Sequence, residues 1–97
     1  MQIALAQLNQ SVGDLRGNAE AILEAAAQAA QGGARLVVTP ELSLCGYPPE
    51  DLLLRPAFLD ACVRELATMA AAVGEVPVVV GFPEQEAGRR YNALAVL

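Results

Sequence analysis

Residues 36–41 read LVVTPE, an apolar and largely β-branched run that ends at a proline and an acid. Apolar runs without polar alternation are typical of strands covered on both faces, as in parallel sheets. Pro40 ends the run because proline lacks the backbone donor that a sheet ladder needs. The stretch therefore predicts a buried parallel strand with Glu41 at its carboxyl end.

The residues before this stretch complete a strand–helix–strand unit. An apolar run within residues 2–9 predicts a first strand. Asp14 can cap a helix, and apolar side chains recur from Ala19 to Ala30 at helical spacing, opposite a polar face. The glycines at 32 and 33 end that helix. Strand, helix and strand in this order predict a right-handed parallel crossover.

The residues after it predict a second crossover and a hairpin. Residues 41–55 form a loop too long for a plain connection, which is typical of functional loops. A second helix is expected from Pro56 to Gly74, because proline suits a first turn and glycine a helix end. A strand at Val78–Phe82 and another at Arg90–Leu97 follow, joined by a polar turn. The predicted fold class is α/β, with the order β-α-β-α-β-β.

Composition narrows the function classes. The 97 residues suit one domain, and their net charge of −5 disfavours nucleic acid and anionic membrane surfaces. There is no run of 18 apolar residues and no signal-peptide pattern, so we expect a cytoplasmic protein. Histidine is absent, and Cys45 and Cys62 lack metal-type or redox spacing. We expect no metal and no cofactor within these residues.

Glu41 is the candidate catalytic residue from position alone. Ligands of open α/β sheets collect at the carboxyl ends of the parallel strands, where Glu41 follows its strand. A carboxylate partly desolvated there holds a proton more readily, as a general base requires. The alternative is structural, with Glu41 accepting hydrogen bonds from backbone amides of the loop that follows.

Two sequence blocks resemble a known family. Residues 39–47, TPELSLCGY, resemble the nitrilase superfamily of carbon–nitrogen hydrolases. Residues 46–56, GYPPEDLLLRP, are similar to the glutaminase domain of glutamine-dependent NAD synthetases, and so are IALAQLN at 3–9, VGD at 12–14 and Asn18. The resemblance covers essentially the whole chain. It implies a nitrilase-type α-β-β-α sandwich, with residues 1–97 as its N-terminal portion and no second domain. Because the chain stops inside an apolar run, we expect it to be truncated.

The resemblance also implies a Glu, Lys and Cys triad that hydrolyses glutamine. Only the glutamate has a counterpart, Glu41. The chain contains no lysine, and the residues after Cys45 and Cys62 do not match those after the family's nucleophile. Cys62 is expected to pack in the core, whereas a pocket thiol at Cys45 stays an open alternative. We therefore expect the isolated chain to be inactive.

Other polar residues have ordinary interpretations beside functional ones. Tyr47 is the candidate substrate-binding residue, lining a glutamine pocket with its ring or packing against Pro48 and the second helix. The acids at 50 and 51 can cap a short helical turn. Arg89 and Arg90 are expected to be solvated in the hairpin turn, and Asn92 to brace the strand edge.

The implied partners follow from the resemblance. They are glutamine for these residues, and ATP, Mg and deamido-NAD for a separate C-terminal synthetase domain. We expect the full-length protein to be a homo-oligomer. Two alternatives stay open: another nitrilase-superfamily amidase, and a non-enzymatic α/β binding or signalling module. The Pro-Pro-Glu-Asp block at 48–51 favours the synthetase over other amidases. The signalling alternative would require paired acids after the first strand, where the sequence has Leu-Asn-Gln at 8–10.

Overall fold

The computed structural model describes all 97 residues, Met1–Leu97, and contains the predicted order of elements. The elements are β1 (Ile3–Leu5), α1 (Leu15–Gln31), β2 (Leu36–Val38), a 3-10 helix (Glu50–Leu54), α2 (Pro56–Ala72), β3 (Val78–Glu86) and β4 (Arg89–Val96). Neither α-helix has the length and apolar character that crossing a bilayer requires.

The four strands form one sheet in the order β1-β2-β3-β4. β1, β2 and β3 are parallel, and β4 returns antiparallel beside β3. Because β1, β2 and β3 lie in sequence order, the two crossovers run in the same direction across the sheet. Right-handed crossovers of that kind place both helices on one face, and α1 and α2 are indeed in contact.

The helix boundaries follow local chemistry. The Asp14 carboxylate accepts a hydrogen bond from the Gly17 backbone N–H at 3.0 Å, as predicted for an N-cap. Pro56 occupies the first turn of α2, also as predicted. α2 ends at Ala72, two residues before the predicted Gly74, because Val73 already has an extended backbone.

The core lies between the helices and the sheet. Its fully buried side chains come from both helices, from β2 and β3, and from the loop after β2. They include Ile22, Val37, Leu44, Cys45, Cys62, Met69, Val78 and Val80. Every side-chain nitrogen or oxygen atom buried there has a hydrogen-bond partner.

The opposite face of the sheet is apolar and uncovered, and we call it the open face. Leu94 and Val96 of β4 are 65% and 64% exposed, and Ile3 and Leu5 of β1 are exposed as well. On β2 only Val37 is fully buried, whereas its neighbours at 36 and 38 are half-buried. The prediction that β2 is covered on both faces is therefore wrong for these 97 residues, because both helices lie on one side.

The hairpin is longer than the sequence predicts. β3 continues to Glu86 and β4 starts at Arg89, so the turn shrinks to Ala87 and Gly88. Both turn residues have positive φ, 51° and 77°, as two-residue hairpins of the primed type require. Residues 84–92 form an exposed two-stranded ribbon, and their polarity reflects exposure instead of a loop. β1 is shorter than the apolar run that predicts it.

Candidate active site

Glu41 lies in a tight turn directly after β2. The Ser43 backbone N–H donates to the Pro40 carbonyl at 3.1 Å, with Glu41 and Leu42 between them. Leu42 has φ 50°, a left-handed conformation that side chains other than glycine rarely adopt. Its side chain is nonetheless buried in the core, 6% exposed. Core packing therefore holds a strained backbone, and Glu41 is fixed one residue before it.

Two hydroxyl groups join this turn to the sheet. The Thr39 hydroxyl donates to the Val79 carbonyl of β3 at 2.8 Å, and its oxygen lies 2.6 Å from the Ser43 hydroxyl oxygen. Because the one hydrogen of Thr39 is used on Val79, Ser43 is the donor to Thr39. Both residues are buried. The hydrogen bond between Thr39 and Ser43 thus joins the two ends of the turn that contains Glu41.

Gly81 of β3 allows the turn to pass close to the sheet. A Cβ atom at this position would lie 2.6 Å from the Leu42 nitrogen and 2.9 Å from the Pro40 oxygen. Both are backbone atoms, which cannot swing aside as a flexible side chain can. The Gly81 carbonyl also accepts a hydrogen bond from the Leu44 backbone N–H at 3.1 Å. Glycine at position 81 therefore sets the height of Glu41 above β3.

A buried amide anchors the loop from the other side. The Asn18 side chain, 3% exposed, donates to the Leu44 and Ser11 carbonyls at 2.9 and 2.8 Å and accepts from the Ser11 N–H at 2.9 Å. The Gln10 side chain donates to the Ser43 carbonyl at 2.9 Å. The residues after β1, the start of α1 and the loop of Glu41 are thereby joined. Sequence reasoning gave neither side chain a role, although Asn18 was part of the family resemblance.

Glu41 and Tyr47 line one cavity of about 130 Å³ at the carboxyl ends of the parallel strands. Its remaining lining residues are Leu8, Asn9, Gln10, Pro40, Ser43 and Gly46. The volume is that of about four water molecules, which suits an amide group but not a whole drug-sized ligand. Of the two positions expected for Tyr47, lining a glutamine pocket or packing against Pro48 and the second helix, the structure has the residue beside Glu41 in this cavity, and substrate binding stays a prediction.

A larger groove lies far from Glu41. It measures about 430 Å³, runs between the C-terminal ends of α1 and α2, and is lined mostly by alanine and valine with Glu75 as its one charged residue. Apolar walls without convergent polar groups offer nothing to orient a reacting amide. We place the candidate site at the smaller cavity, because a carboxylate, a hydroxyl, an amide and a phenol meet there.

Glu41 itself is exposed, so the partial desolvation predicted for it is wrong for these residues. The carboxylate lies on the side of the open face, because it contacts Asn92, which shares a face of β4 with the exposed Leu94 and Val96. The hydrogen bond to its carboxylate comes from the Asn92 side-chain amide of β4, which donates to Glu41 Oε2. Backbone amides of the loop do not donate to this carboxylate, so the structural alternative proposed for Glu41 is wrong in its donor.

Asn92 is a site residue that sequence reasoning missed. Val38 pairs with Val79 in parallel, so Glu41 follows the end of β2 near the level of Phe82 and Pro83 in the middle of β3, where Pro83 pairs with Asn92. The hairpin therefore returns Asn92 to the strand end that carries the carboxylate. Its neighbour Arg90, expected to be solvated, is exposed but donates to a carbonyl of the 3-10 helix.

Neither cysteine is available as a nucleophile. Cys45 and Cys62 are free, fully buried thiols in the core. Burial raises the pKa of Cys45 from 9.0 to about 11 and the pKa of Cys62 to about 12, and the nearness of the two thiols adds to the second value. The packing role predicted for Cys62 is confirmed, and the pocket thiol at Cys45 is wrong, since that residue does not line the cavity.

The remaining predicted residues have structural positions. Glu50 and Asp51 lie in the first turn of the 3-10 helix, so the predicted helical turn is present. The predicted capping is wrong, because Pro49 is the N-cap and no side chain caps this helix. No three His, Cys, Asp or Glu side chains gather in a way that could hold a metal ion. The polar side chains that share one cavity include those of Glu41 and its neighbours Gln10, Ser43 and Tyr47.

The sequence of the chain was compared with known protein families, and one family matches almost its whole length. The sequence profile of carbon–nitrogen hydrolases matches residues 2–97. The chain belongs to the carbon–nitrogen hydrolase family. This family differs from the signalling receivers that were the non-enzymatic alternative, so the match disfavours that alternative. The predicted nitrilase-type fold class is confirmed, with residues 1–97 providing its first β-α-β-α-β-β portion.

Similar proteins carry this segment within much longer chains. The glutamine-dependent NAD(+) synthetase of Xanthomonas campestris pv. campestris is 45% identical over 98 residues, which cover 100% of this chain and 18% of that protein. The structure of the Acinetobacter baumannii glutamine-dependent NAD+ synthetase in complex with ADP is 40% identical with a TM-score of 0.89, covering 98% of this chain and 18% of that one. This carbon–nitrogen hydrolase chain therefore spans about a fifth of the length of these relatives.

A smaller enzyme shares the same fold. The amidase of Nesterenkonia sp. AN1, in a variant with one glutamate replaced by leucine, is 29% identical with a TM-score of 0.81, covering 99% of this chain and 37% of that one. That structure shows the acetamide moiety of fluoroacetamide added covalently at the active-site cysteine. The fold of these 97 residues thus occurs both in synthetases and in an amidase of the nitrilase superfamily.

Proposed function

We propose that these residues form the first part of the glutaminase domain of a glutamine-dependent NAD synthetase. The domain would hydrolyse glutamine and supply ammonia for the ATP-dependent amidation of deamido-NAD. The observation that carries the proposal is Glu41, held by a strained, tied-down turn at the carboxyl end of β2 beside a cavity of amide size. The 45% identity to a synthetase over the whole chain supports the substrate.

Glu41 is the proton carrier in this proposal. A cysteine thiol attacks the glutamine side-chain amide while Glu41 takes the thiol proton, and Glu41 then protonates the leaving ammonia as the thioester forms. Water next attacks the thioester, giving its proton to Glu41, and glutamate and the free thiol are released. Each proton that Glu41 accepts is returned within the cycle, so the carboxylate is unchanged at the end.

The nucleophile and the oxyanion donor must come from other parts of the polypeptide. The chain has no lysine, and its two cysteines lie in the core with raised pKa values. The open apolar face and the exposed Glu41 lie on the same side of the sheet, so further residues packed there would both cover the sheet and complete the cavity. Burial by those residues would also supply the desolvation that Glu41 lacks here.

Tyr47 is the proposed substrate-binding residue. The residue is 65% exposed and lines the cavity beside Glu41. A phenol in that position offers an apolar wall to the methylene groups of glutamine and a hydroxyl to its polar end. Because about 130 Å³ accommodates only the amide end, the remaining contacts to glutamine would come from the rest of the domain.

The remaining partners belong to the whole protein. We propose that ATP, Mg and deamido-NAD bind a separate synthetase domain of a cytoplasmic homo-oligomer. The ADP complex of the Acinetobacter baumannii relative supports nucleotide use by such a protein. No residue of this chain is assigned to those ligands.

A free-standing amidase of the same family is the second candidate. The amidase of Nesterenkonia sp. AN1 favours it, since that enzyme shares the fold over 99% of this chain. Two observations favour the synthetase: the 45% identity to the Xanthomonas campestris enzyme over the whole chain, against 29–34% for structures of this amidase, and the Pro-Pro-Glu-Asp block at 48–51.

The deciding experiment compares substrates of the full-length polypeptide that carries these residues. Ammonia release is measured from glutamine and from acetamide, and NAD formation from deamido-NAD, glutamine and ATP-Mg. We expect kcat/KM for glutamine to exceed that for acetamide by about 10²-fold or more, together with ATP-dependent NAD formation. A preference for acetamide without NAD formation would select the amidase. The isolated 97-residue chain is the negative control and should release no ammonia.

A further inference from the structure

The position of Asn92 has a consequence for how Glu41 works. Asn92 lies on the open face of β4, level with the end of β2, and its amide N–H donates to Glu41 Oε2. An amide donor stabilises the charged form of a carboxylate and restricts its orientation. Oε2 therefore has a donor from the protein, whereas Oε1 has no hydrogen-bond partner in the structure.

Asn92 is the residue that donates a hydrogen bond to the carboxylate of Glu41. The turn that carries Glu41 is fixed through its backbone and through Thr39 and Ser43, none of which holds the carboxylate itself. Glu41 has an exposed, flexible side chain, and a proton carrier must be held within a fraction of an ångström of its productive position. The hairpin is rigidly paired at this level, Pro83 with Asn92, and therefore offers a fixed donor.

We propose that Asn92 is a positioning residue for Glu41, holding Oε2 so that Oε1 faces the reacting amide. The inference rests on the proposed glutaminase function. A purely structural role for Asn92, bracing the loop against β4, predicts a loss of stability that does not depend on the carboxylate of Glu41. Positioning predicts a loss of rate that exists only while Glu41 is a carboxylate.

The test is a double-mutant cycle in the full-length polypeptide, with glutamine hydrolysis as the readout. Asn92→Ala should lower kcat by about 10- to 100-fold, the usual value of a hydrogen bond to a charged group, with KM changed less than about threefold. Asn92→Asp keeps the shape, removes the donor and adds a like charge, so its loss should be larger. In the Glu41→Gln background, Asn92→Ala should change the rate by less than about threefold.

Controls separate positioning from folding. Gln85→Ala removes an exposed carboxamide from the same hairpin, away from the cavity, and should leave kcat unchanged. The thermal midpoint of Asn92→Ala should match that of Gln85→Ala, because both side chains are exposed. ATP-dependent NAD formation from added ammonia should be unaffected in both variants.

The outcomes distinguish the inference from the function on which it rests. If Glu41→Gln retains glutamine hydrolysis within a few-fold, the proposed function fails at its catalytic residue. If Glu41→Gln is strongly impaired but Asn92→Ala is not, only the role of Asn92 is overturned. Equal losses from Asn92→Ala in both backgrounds would also overturn it, since Asn92 would then act independently of Glu41.

Discussion

At the scale of single residues, the site combines buried polar groups that are hydrogen-bonded with exposed polar groups that line a cavity. Asn18 and Ser43 are buried and their side chains are hydrogen-bonded, whereas Glu41 and Tyr47 are exposed around a cavity. Buried polar groups fix the loop, because breaking their bonds inside the core is costly. Exposed groups beside a cavity remain available to a substrate. The same division explains why the two cysteines, which are buried, carry no chemistry here.

The buried thiols give a pH-dependent prediction. A raised pKa in the folded state favours the protonated thiol, so this contribution to stability is complete below about pH 9 and is lost as the pH rises through 11 to 12. With a pKa of about 11, Cys45 is thiolate in about one molecule per thousand at pH 8. We expect iodoacetamide to leave both cysteines unmodified at pH 8 and to label both in urea. Peptide mapping that found Cys45 labelled in the native protein would contradict this assignment.

The residues differ in how far the sequence predicts them. The position of Glu41 is predictable from local sequence, because an apolar run followed by Pro-Glu indicates the end of a strand whichever strands lie beside it. The Glu41–Asn92 contact spans 51 positions and depends on two strand registers, β2 with β3 and β3 with β4. A periodic pattern gives the faces of a strand but not its register, so this contact could not be derived from the sequence.

At the scale of elements, the turn after β2 and strand β3 form one unit. Pro40 and Leu42 pass over Gly81 at a distance that excludes any side chain there. The order of elements and the helix starts were predictable, because caps and prolines act locally. The close passage over Gly81 was not, since nothing in the apolar run of β3 shows what crosses it. Residues 84–89 are predicted as a turn, although most of them belong to the two strands, because exposed strands and loops share the same polar composition.

This unit predicts the effect of filling the space above β3. Gly81→Ala would place a Cβ atom 2.6 Å from the Leu42 nitrogen, so the turn must shift and Glu41 with it. We expect a loss of unfolding free energy of about 1–3 kcal/mol and a fall in glutamine hydrolysis of about 10-fold or more. Chemical denaturation and steady-state kinetics of the full-length polypeptide provide the two readouts.

Gly74→Ala is the matched control for this substitution. A Cβ atom at Gly74 has no neighbour within 4 Å, so the added methyl group should change neither quantity measurably. Equal effects of the two substitutions, or a Gly81→Ala protein with unaltered kinetics, would show that the close passage does not position Glu41.

At the scale of the whole molecule, the sheet is covered on one side only. Apolar side chains of β1 and β4 remain on the open face, and the carboxylate of Glu41 emerges on the same side. The chain spans 18% of the length of its Xanthomonas campestris relative, and most of that relative lies outside the matched segment. We therefore expect the same additional residues to cover the open face and to complete the active site.

The open face predicts that the isolated 97-residue chain associates with itself. Exposed apolar sheet surface of this kind is an aggregation site in water. We expect sedimentation velocity to show oligomers, and Leu94→Glu with Val96→Glu to reduce them. Val63→Glu, which replaces an apolar residue 55% exposed on α2, should leave the association unchanged. A monodisperse monomer of the unaltered chain would argue against an uncovered face.

The most direct measurement is the rate of glutamine hydrolysis by the full-length polypeptide carrying Glu41→Gln, compared with Glu24→Gln. Both substitutions remove one exposed carboxylate, but Glu24 lies on α1 away from the cavity. A proton carrier at position 41 predicts a loss of about 10²- to 10⁴-fold for Glu41→Gln, an unchanged rate for Glu24→Gln, and NAD formation from added ammonia intact in both. Glutamine turnover within a few-fold of the unaltered enzyme in Glu41→Gln would contradict the account.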